Sequence, residues 1–373
     1  MAAILSEKIR VSYTSVLVLI GLLLSYLKVA GRFSEIPLDR SLVLGLVVPP
    51  LIFEAAMRTR FEIFHTVRRT VLALAIFGVI FSALSSGFIL TVALGLPLVV
   101  ALTFGVIVSP TDPVSVVNLL KRLKAPDRLT TLLESEAYLN DATAVVLYPI
   151  ALSLTFRPLQ DVGLFAYTFG GGVLVGVLVS GVAELLYRLV TEPFAETSFT
   201  IAVIFGSYAF AESLGASGLV AVAIAGLYMG NRTMRIAMSE KTRTTMTQFW
   251  EVGAFMVTSF AFLLLGLRAD ISLLIAYSPF IIAAFLAVLL ARIVSVYPVM
   301  GLSHVMGERI GHSYVKVVAM SGLRGVISVA LALSLPEGFP FREQIIAMTF
   351  GVALLSLVVQ GELLQFYLRK HKF

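Results

Sequence analysis

The sequence predicts an all-α membrane protein with about twelve transmembrane helices. Hydrophobic residues make up 58% of the 373 residues and charged residues 13%, and the mean hydropathy is +0.97. This composition places most of the chain in a bilayer rather than in the core of a soluble domain. Apolar runs bounded by charge, proline or glycine give the expected spans, which are 12–30, 41–57, 70–95, 98–120, 131–155, 162–188, 198–214, 217–230, 248–267, 273–300, 314–335 and 343–367.

The basic residues alternate between loops as a membrane topology requires. With the N-terminus inside, twenty of the 28 Lys and Arg residues fall in inside loops or termini, and six fall in outside loops. A missed or added span would scramble this asymmetry, which follows the positive-inside rule. We therefore expect a multi-pass protein of the cell membrane with both termini in the cytoplasm.

Composition also excludes several classes of function. The net charge is +6, but the basic residues lie in short loops between apolar spans, so no nucleic-acid partner is expected. The absence of cysteine excludes disulfides and thiolate chemistry. All four histidines fall in or beside predicted loops, which argues against a haem or a buried metal centre, and no cofactor is expected. The motifs of an intramembrane protease are not present, so we do not expect an enzyme.

The fourth span contains a break at SPTDPVSVV. Pro110 and Pro113 flank Thr111 and Asp112, and two prolines three residues apart remove backbone donors and open a helix. The opened point offers a carbonyl, a hydroxyl and a carboxylate, which are hard oxygen ligands suited to an alkali ion. Asp112 is also well placed to cap the second half-helix, and the two roles are compatible.

The fifth span, LLESEAYLNDATAVVLYPI, carries ionisable residues at membrane depth. Glu134, Glu136, Asn140 and Asp141 fall within it, and such groups cost a few kcal/mol each in a bilayer, so they indicate function. Asp141 is the leading candidate for an ion and proton carrier. Loss of water makes a carboxylate hold a proton more readily, so that proton and cation compete for one group. The alternative is a structural carboxylate paired with an arginine.

Two arginines, Arg292 and Arg324, are predicted to lie within spans. A buried arginine does not easily lose its proton, so each needs an anion or a carbonyl as partner. Glu136 lies one turn before Asn140 on the same helix face and is the expected partner of Arg292. A buried ion pair mainly fixes geometry, and this pairing leaves Asp141 to titrate.

Two glutamates near the ends of spans have open interpretations. Glu54 ends the second span in VVPPLIFEAAM, where it is either a site residue or a solvated helix end. Glu251 lies near the inside end of the ninth span in QFWEVGAF. It either attracts cations electrostatically or is an interfacial charge beside Trp250.

Broken segments at corresponding positions of two halves predict an inverted repeat. The third to fifth spans contain the Pro-broken segment followed by an acidic helix. The tenth to twelfth contain a segment interrupted at Gly322, Arg324 and Gly325 between two long helices. This arrangement points to an ion site at the interface of the repeats, where freed carbonyls and half-helix ends coordinate a cation.

Six motifs, in this order and spacing, resemble the NhaP and NHE branch of the cation/proton antiporters. They are PPLIFEAA, SPTDPVSVV, ESEAYLNDATAVVLY, FLLLGL, LLARI and GLRGVISVALALSLP, and the similarity runs from Val11 to Glu362. The combination of the Asn-Asp pair with the TDP element is highly specific. The resemblance implies an NhaA-like antiporter fold, in which two broken helices cross.

The resemblance also implies roles for individual residues. The matched positions are an ion-binding pair (Asn140, Asp141), an unwound crossover (Thr111, Asp112), an acidic residue near the site (Glu54), a buried ion pair (Glu136, Arg292) and the arginine of the second broken helix (Arg324). It further implies a homodimer with a dimerisation domain, for which we expect residues 1–69 and 157–270. The remaining residues, 70–156 and 271–373, are expected to form a core that moves like an elevator.

The sequence departs from the family pattern in two places. Members usually have serine directly after the glutamate that corresponds to Glu136, and here Ala137 occupies that place. Ala137 lies one helical turn before Asp141, so we expect one hydroxyl ligand to be missing. Members also commonly have thirteen spans, and the segment from Ile9 is similar to their second.

We therefore predict a secondary transporter that exchanges one monovalent cation, Na⁺ first, for one proton at Asp141 and Thr111. Li⁺ and K⁺ are the other ions considered, and K⁺/H⁺ exchange on the same fold is the alternative within the class. A cation channel is the alternative from another class, but it needs a continuous polar pore, and the acidic residues here cluster at one depth.

Overall fold

The computed structural model describes residues 12–27, 42–112, 114–153, 157–189, 192–305, 307–308 and 310–370, and no strand occurs among them. The main helices, in chain order, are α1 (Tyr13–Tyr26), α2 (Val48–Arg58), α3 (Arg68–Leu94), α4 (Leu98–Ile107), α5 (Val114–Arg122), α6 (Asp127–Leu152), α7 (Pro158–Tyr187), α8 (Pro193–Ser213), α9 (Gly218–Tyr228), α10 (Glu240–Arg268), α11 (Ser278–Val305), α12 (His312–Met320), α13 (Val326–Leu333) and α14 (Arg342–Lys370). Short helices at Phe61–Phe64, Met234–Ala237 and Ile271–Ala276 lie between them.

Each expected span coincides with a helix or with a broken pair of helices. The fourth is divided into α4 and α5, and the eleventh into α12 and α13, with the breaks where the sequence predicts them. The helices of the fifth and ninth spans, α6 and α10, begin earlier than expected, at Asp127 and Glu240. A helix continues through polar turns, and the apolar runs of the sequence do not include those turns.

Within the described residues, six helices are long and apolar enough to cross a membrane, namely α3, α7, α8, α10, α11 and α14. α1 and α4 are shorter apolar helices. α6 is long enough to cross a membrane but is less apolar than these six helices, because it carries acidic and amide side chains. The count of twelve spans and the inverted repeat stay predictions.

The chain forms two compact units. The first is made of Met1–Arg40, Val67–Thr155 and Ser259–Phe373, and the second of Ser41–Thr66 and Phe156–Thr258. We expected residues 1–69 to lie in one domain, whereas α1 groups with the first unit. The dimerisation and transport roles assigned to the two parts remain predictions.

The core of the first unit explains the grouping of α1. Gly21 of α1 and Gly266 of α10 face each other so closely that a side chain on either would collide with the opposite backbone, as small residues allow in membrane helix pairs. The apolar cluster around this crossing draws on α1, the end of α10, α13 and α14, with buried members Leu17, Val18, Phe262, Leu265, Ala269, Val329, Phe350, Ala353 and Leu357.

The second unit contains α2, α7, α8, α9 and most of α10. Its buried anchor is Trp250, whose indole donates a hydrogen bond to the Thr200 hydroxyl at 2.8 Å. The Phe53 ring meets Trp250 edge-on, with ring centroids 5.6 Å apart. A small apolar cluster joins α7, α8 and α9, with members Val175, Ala211, Ala216 and Ala221.

Candidate ion-binding site

The first break, between α4 and α5, exposes carbonyl groups that a regular helix would use. α4 ends at Ile107 with Val108 as its C-cap, and the carbonyl groups of Ser109 and Pro110 have no place in a helical ladder because Pro110 interrupts it. Both accept hydrogen bonds from Arg324 Nη1, at 2.8 Å and 3.3 Å. The cation of Arg324 thus lies at the negative end of the α4 dipole.

The second break, between α12 and α13, is stabilised in the same way. The Val318 carbonyl in the last turn of α12 accepts a hydrogen bond from Arg292 Nη2 at 3.1 Å. The Met320 carbonyl accepts one from Gln360 Nε2 at 2.9 Å. Gly322 allows this approach, since a Cβ atom there would lie only 3.0 to 3.1 Å from atoms of the Arg292 side chain.

The two breaks touch each other directly through backbone. The Asp112 N–H donates to the Leu323 carbonyl at 2.8 Å, which joins the unwound segments. Gly325 makes the contact possible, because a Cβ atom at this position would lie 2.9 Å from the Asp112 Cβ. The arrangement is the crossing of two broken helices that the sequence motifs predict.

On α6, Glu136 is fully engaged. Its carboxylate binds Arg292 through two nitrogens, at 2.8 Å and 3.2 Å, and both side chains are buried. Because Arg292 also holds the Val318 carbonyl, one guanidinium links α6, α11 and the end of α12. A buried pair of this kind is costly to break from one side, by about 3 to 5 kcal/mol.

Asn140, one turn after Glu136, has all its polar groups engaged. Its amide nitrogen donates to the Thr111 hydroxyl at 2.7 Å and to Glu136 Oε1 at 3.0 Å. Its oxygen faces the Thr111 N–H at 3.3 Å. The Asn140 side chain therefore fixes the unwound segment to α6.

Asp141 differs from its neighbours on α6. It is buried, yet its Oδ1 atom accepts no hydrogen bond from the described part of the chain. The backbone N–H of Thr111 faces the carboxylate, and the charged side chains that act on it include Asp112, Glu136 and Arg324. A buried carboxylate oxygen without a donor is the kind of atom that a cation or a proton satisfies.

Five charged side chains lie at or near the crossing of the two breaks. Asp112, Glu136 and Asp141 supply three negative charges when ionised, and Arg292 and Arg324 supply two positive charges. Arg324 and Arg292 are 1% and 5% exposed, so these charges interact with little screening by water. Among these five side chains the carboxylates outnumber the guanidinium groups by one.

Comparisons with known proteins agree with this construction. Residues 1–370 match the model of the sodium/hydrogen exchanger transmembrane family. The chain belongs to this family. Its motifs therefore identified the family correctly, and the chain is a multi-pass membrane transport protein. The resemblance to the NhaP branch of the antiporters is confirmed.

Individual relatives cover nearly the whole chain. A low-affinity Na⁺/H⁺ antiporter, NhaS1 of Synechocystis, is 34% identical over 96% of this chain and 69% of its own length. The Na⁺/H⁺ antiporter ApNhaP of Aphanothece halophytica is 36% identical over 97% of this chain and 70% of its own. The structure of the sodium proton antiporter MjNhaP1 of Methanocaldococcus jannaschii superposes with a TM-score of 0.80, at 24% identity over 99% of this chain and 95% of that one. This last likeness supports the exchanger fold.

Two expected site residues of this exchanger lie in the second unit. Glu54 is 3.0 Å from Arg58 Nη1, and Glu251 is 3.6 Å from the same nitrogen. The Glu54 side chain is 15% exposed and that of Glu251 is 61% exposed, so Glu251 is a solvated charge. A role for either residue at the ion site stays a prediction.

Two residues of the crossing were missed in the sequence. Gln360 binds the Met320 carbonyl, and the Ser356 hydroxyl accepts the Arg324 N–H at 2.9 Å. The available signal was a pair of polar residues four apart in the apolar span of α14. Ala137, which the sequence singled out for its missing hydroxyl, is buried on α6.

Proposed function

We propose that the protein is an electroneutral Na⁺/H⁺ antiporter that exchanges one cation for one proton at Asp141. The observation that carries this proposal is the buried Oδ1 atom of Asp141, which accepts no hydrogen bond within the described residues. One Na⁺ or one proton neutralises the ionised carboxylate, and in a dry site the two compete for it. The relatives are Na⁺/H⁺ antiporters by name, which favours Na⁺ as the cation.

In the proposed cycle Asp141 carries either ion across. Ionised Asp141 binds Na⁺ together with the Thr111 hydroxyl oxygen, which accepts one hydrogen bond from Asn140 and keeps a second lone pair. Protonated Asp141 binds no cation, so a proton arriving from the other side releases the ion. Asp112 acts chiefly by its charge and as the cap of α5, whose Val114 N–H lies 3.4 Å from Asp112 Oδ1.

Alternating access is proposed to involve the first unit as the moving core. Both breaks, α6 and the two buried arginines belong to this unit, so a site carried by it keeps its ligands together during movement. The second unit is proposed to form the dimerisation domain of a homodimer in the cell membrane. We propose cytoplasmic termini on the basis of the loop charges.

One observation favours K⁺/H⁺ exchange as a second candidate. Ala137 offers no hydroxyl group one turn before Asp141, so the site has fewer protein ligands than the family pattern supplies. Fewer protein ligands leave room for a larger ion or for a retained water.

Reconstitution in liposomes that contain a pH-sensitive dye tests the proposal. Addition of Na⁺ to one side is expected to move protons in the opposite direction with the wild-type chain. Li⁺ and K⁺ added in turn rank the cations, and a larger proton flux with K⁺ than with Na⁺ would select the second candidate. Cation flux that continues with no countermovement of protons would contradict the antiporter and favour a channel.

A further inference from the structure

α14 changes its helical geometry where it passes the second break. Residues Ser356–Gln360 form a π-helical turn between two α-helical parts, and Gly361 N–H bonds to the Ser356 carbonyl, five residues back. Such a turn inserts one residue and rotates the following side chains by about 100° relative to a continuous α-helix. π turns are less stable than α turns and occur frequently at functional sites.

Both polar residues of this turn contact the second break. The Ser356 hydroxyl accepts the Arg324 N–H at 2.9 Å and donates to the Ala353 carbonyl of its own helix at 2.9 Å. The Gln360 amide donates to the Met320 carbonyl at 2.9 Å. The two side chains are buried, so water does not replace these bonds at low cost.

A third contact holds the turn itself. The Ser15 hydroxyl of α1 donates to the Leu357 carbonyl at 3.0 Å, within the turn. Ser15 is fully buried, and its hydroxyl also lies 2.6 Å from that of Ser12. The π turn is thus fastened on one side to α1 and on the other to the unwound segment.

The contacts continue from the second break to the first. The residues bonded by Ser356 and Gln360 bracket Leu323, whose carbonyl accepts the Asp112 N–H at 2.8 Å. Arg324, whose backbone N–H is held by Ser356, reaches the Ser109 carbonyl with its guanidinium. A shift of the 320–324 backbone therefore moves Thr111 and Asp112 as well.

We infer that Ser356 and Gln360 are positioning residues for cation binding, which act by fixing the 320–324 backbone against the first break. The inference rests on the proposed Na⁺/H⁺ exchange at Asp141. It assigns to the π turn of α14 a part in setting the affinity for the ion, although neither residue contacts Asp141 or Thr111 by a hydrogen bond.

The chain offers closely matched pairs of variants for a test. Threonine and valine at Ser356 have nearly the same volume and differ in the hydroxyl group, so comparison of Ser356→Thr with Ser356→Val isolates the hydrogen bond. Gln360→Met removes the amide group and keeps a side chain of similar length. Gln344→Met on the same helix is its control, because Gln344 is also buried, at 8% exposure against 6%, and its amide nitrogen makes no hydrogen bond within the described residues.

The measurement is the half-saturating Na⁺ concentration and the maximal rate of proton movement in proteoliposomes at several pH values, with melting temperature alongside. Ser356→Val is expected to raise half-saturating Na⁺ about three- to ten-fold relative to Ser356→Thr, which is the effect of one buried hydrogen bond. Gln360→Met is expected to do the same relative to Gln344→Met. The maximal rate per folded protein should change by no more than about two-fold, because binding rather than ion transfer is weakened.

Lower melting temperatures with equal half-saturating Na⁺ within each pair would overturn the inference, since the two residues would then only stabilise the fold. If Ser356→Val does not fold, the Gln360 and Gln344 pair decides alone. A wild-type chain without Na⁺-dependent proton movement would remove the proposed function and this inference together. Wild-type exchange with unaltered variants would remove the inference and leave the proposed function standing.

Discussion

Two buried carboxylates on α6, five residues apart, have opposite surroundings. Glu136 binds Arg292 through two nitrogens and also accepts from Asn140, so its charge is compensated and its oxygens are occupied. The Oδ1 atom of Asp141 accepts no hydrogen bond from the residues that the structure describes, and the acidic groups of Asp112 and Glu136 act on this carboxylate. A buried carboxylate whose oxygen atoms are not all occupied is therefore the better candidate for an ion carrier. The fully paired carboxylate contributes to structure.

The largest effect is expected at Asp141. Asp141→Asn should abolish Na⁺/H⁺ exchange and leave folding intact, because an amide takes up no proton and carries no negative charge to bind a cation. Proteoliposome assays and the melting temperature of the purified protein check both parts. Glu134→Gln is the control on the same helix, since Glu134 forms only a partly exposed pair with Lys121 at 3.1 Å and should matter little. Exchange at the wild-type rate by Asp141→Asn would exclude Asp141 as the carrier.

Substitutions that break the ion pair of Glu136 should mainly lower the stability of the fold. Glu136→Gln and Arg292→Met each leave one buried charge without its partner, so unfolding should become easier by about 3 to 5 kcal/mol. Thermal unfolding in detergent measures the loss, and Lys121→Met serves as the surface control. Variants that melt like the wild type but bind Na⁺ far more weakly would show that the pair belongs to the ion site.

The third test asks whether only one charge is exchanged. A single carboxylate that swaps one Na⁺ for one proton moves no net charge, so a membrane potential should not drive transport. A potential of 100 mV would otherwise contribute about 2.3 kcal/mol per charge. Imposing it with valinomycin and a K⁺ gradient, at equal pH on both sides, should leave the Na⁺ uptake the same as without the potential. Uptake that rises with the potential would mean that a second group, such as Asp112, also changes its charge.

The smallest effect is expected from adding a ligand beside Asp141. Ala137→Ser places a hydroxyl one turn away, where it can replace a bound water, and should tighten apparent Na⁺ or Li⁺ affinity by about 1 kcal/mol, or a few-fold. The gain should be larger for Li⁺ if the cage contracts. Half-saturating concentrations of both ions and the melting temperature check this. Unchanged affinities with a lower melting temperature would show that Ala137 packs against a neighbouring helix and does not face the ion.

Local features of the fold were predictable from the sequence. The helices agree with the apolar runs because hydropathy depends on the residues within one segment. Both helix breaks were predicted because proline and glycine act on the backbone at their own position. Family membership followed from short motifs that carry these same features.

The sequence by itself determined that Glu136, Asn140 and Asp141 lie on one helix beside a Pro-broken segment. It did not determine how their polar groups are distributed. Only the tertiary structure decided that Asn140 fixes Thr111, that Arg324 reaches the carbonyl groups of the first break and that a π turn in α14 supports the second. These contacts join residues from 29 to 215 positions apart. Which buried charge finds a partner therefore depends on the packing of distant helices, and no local pattern specifies it.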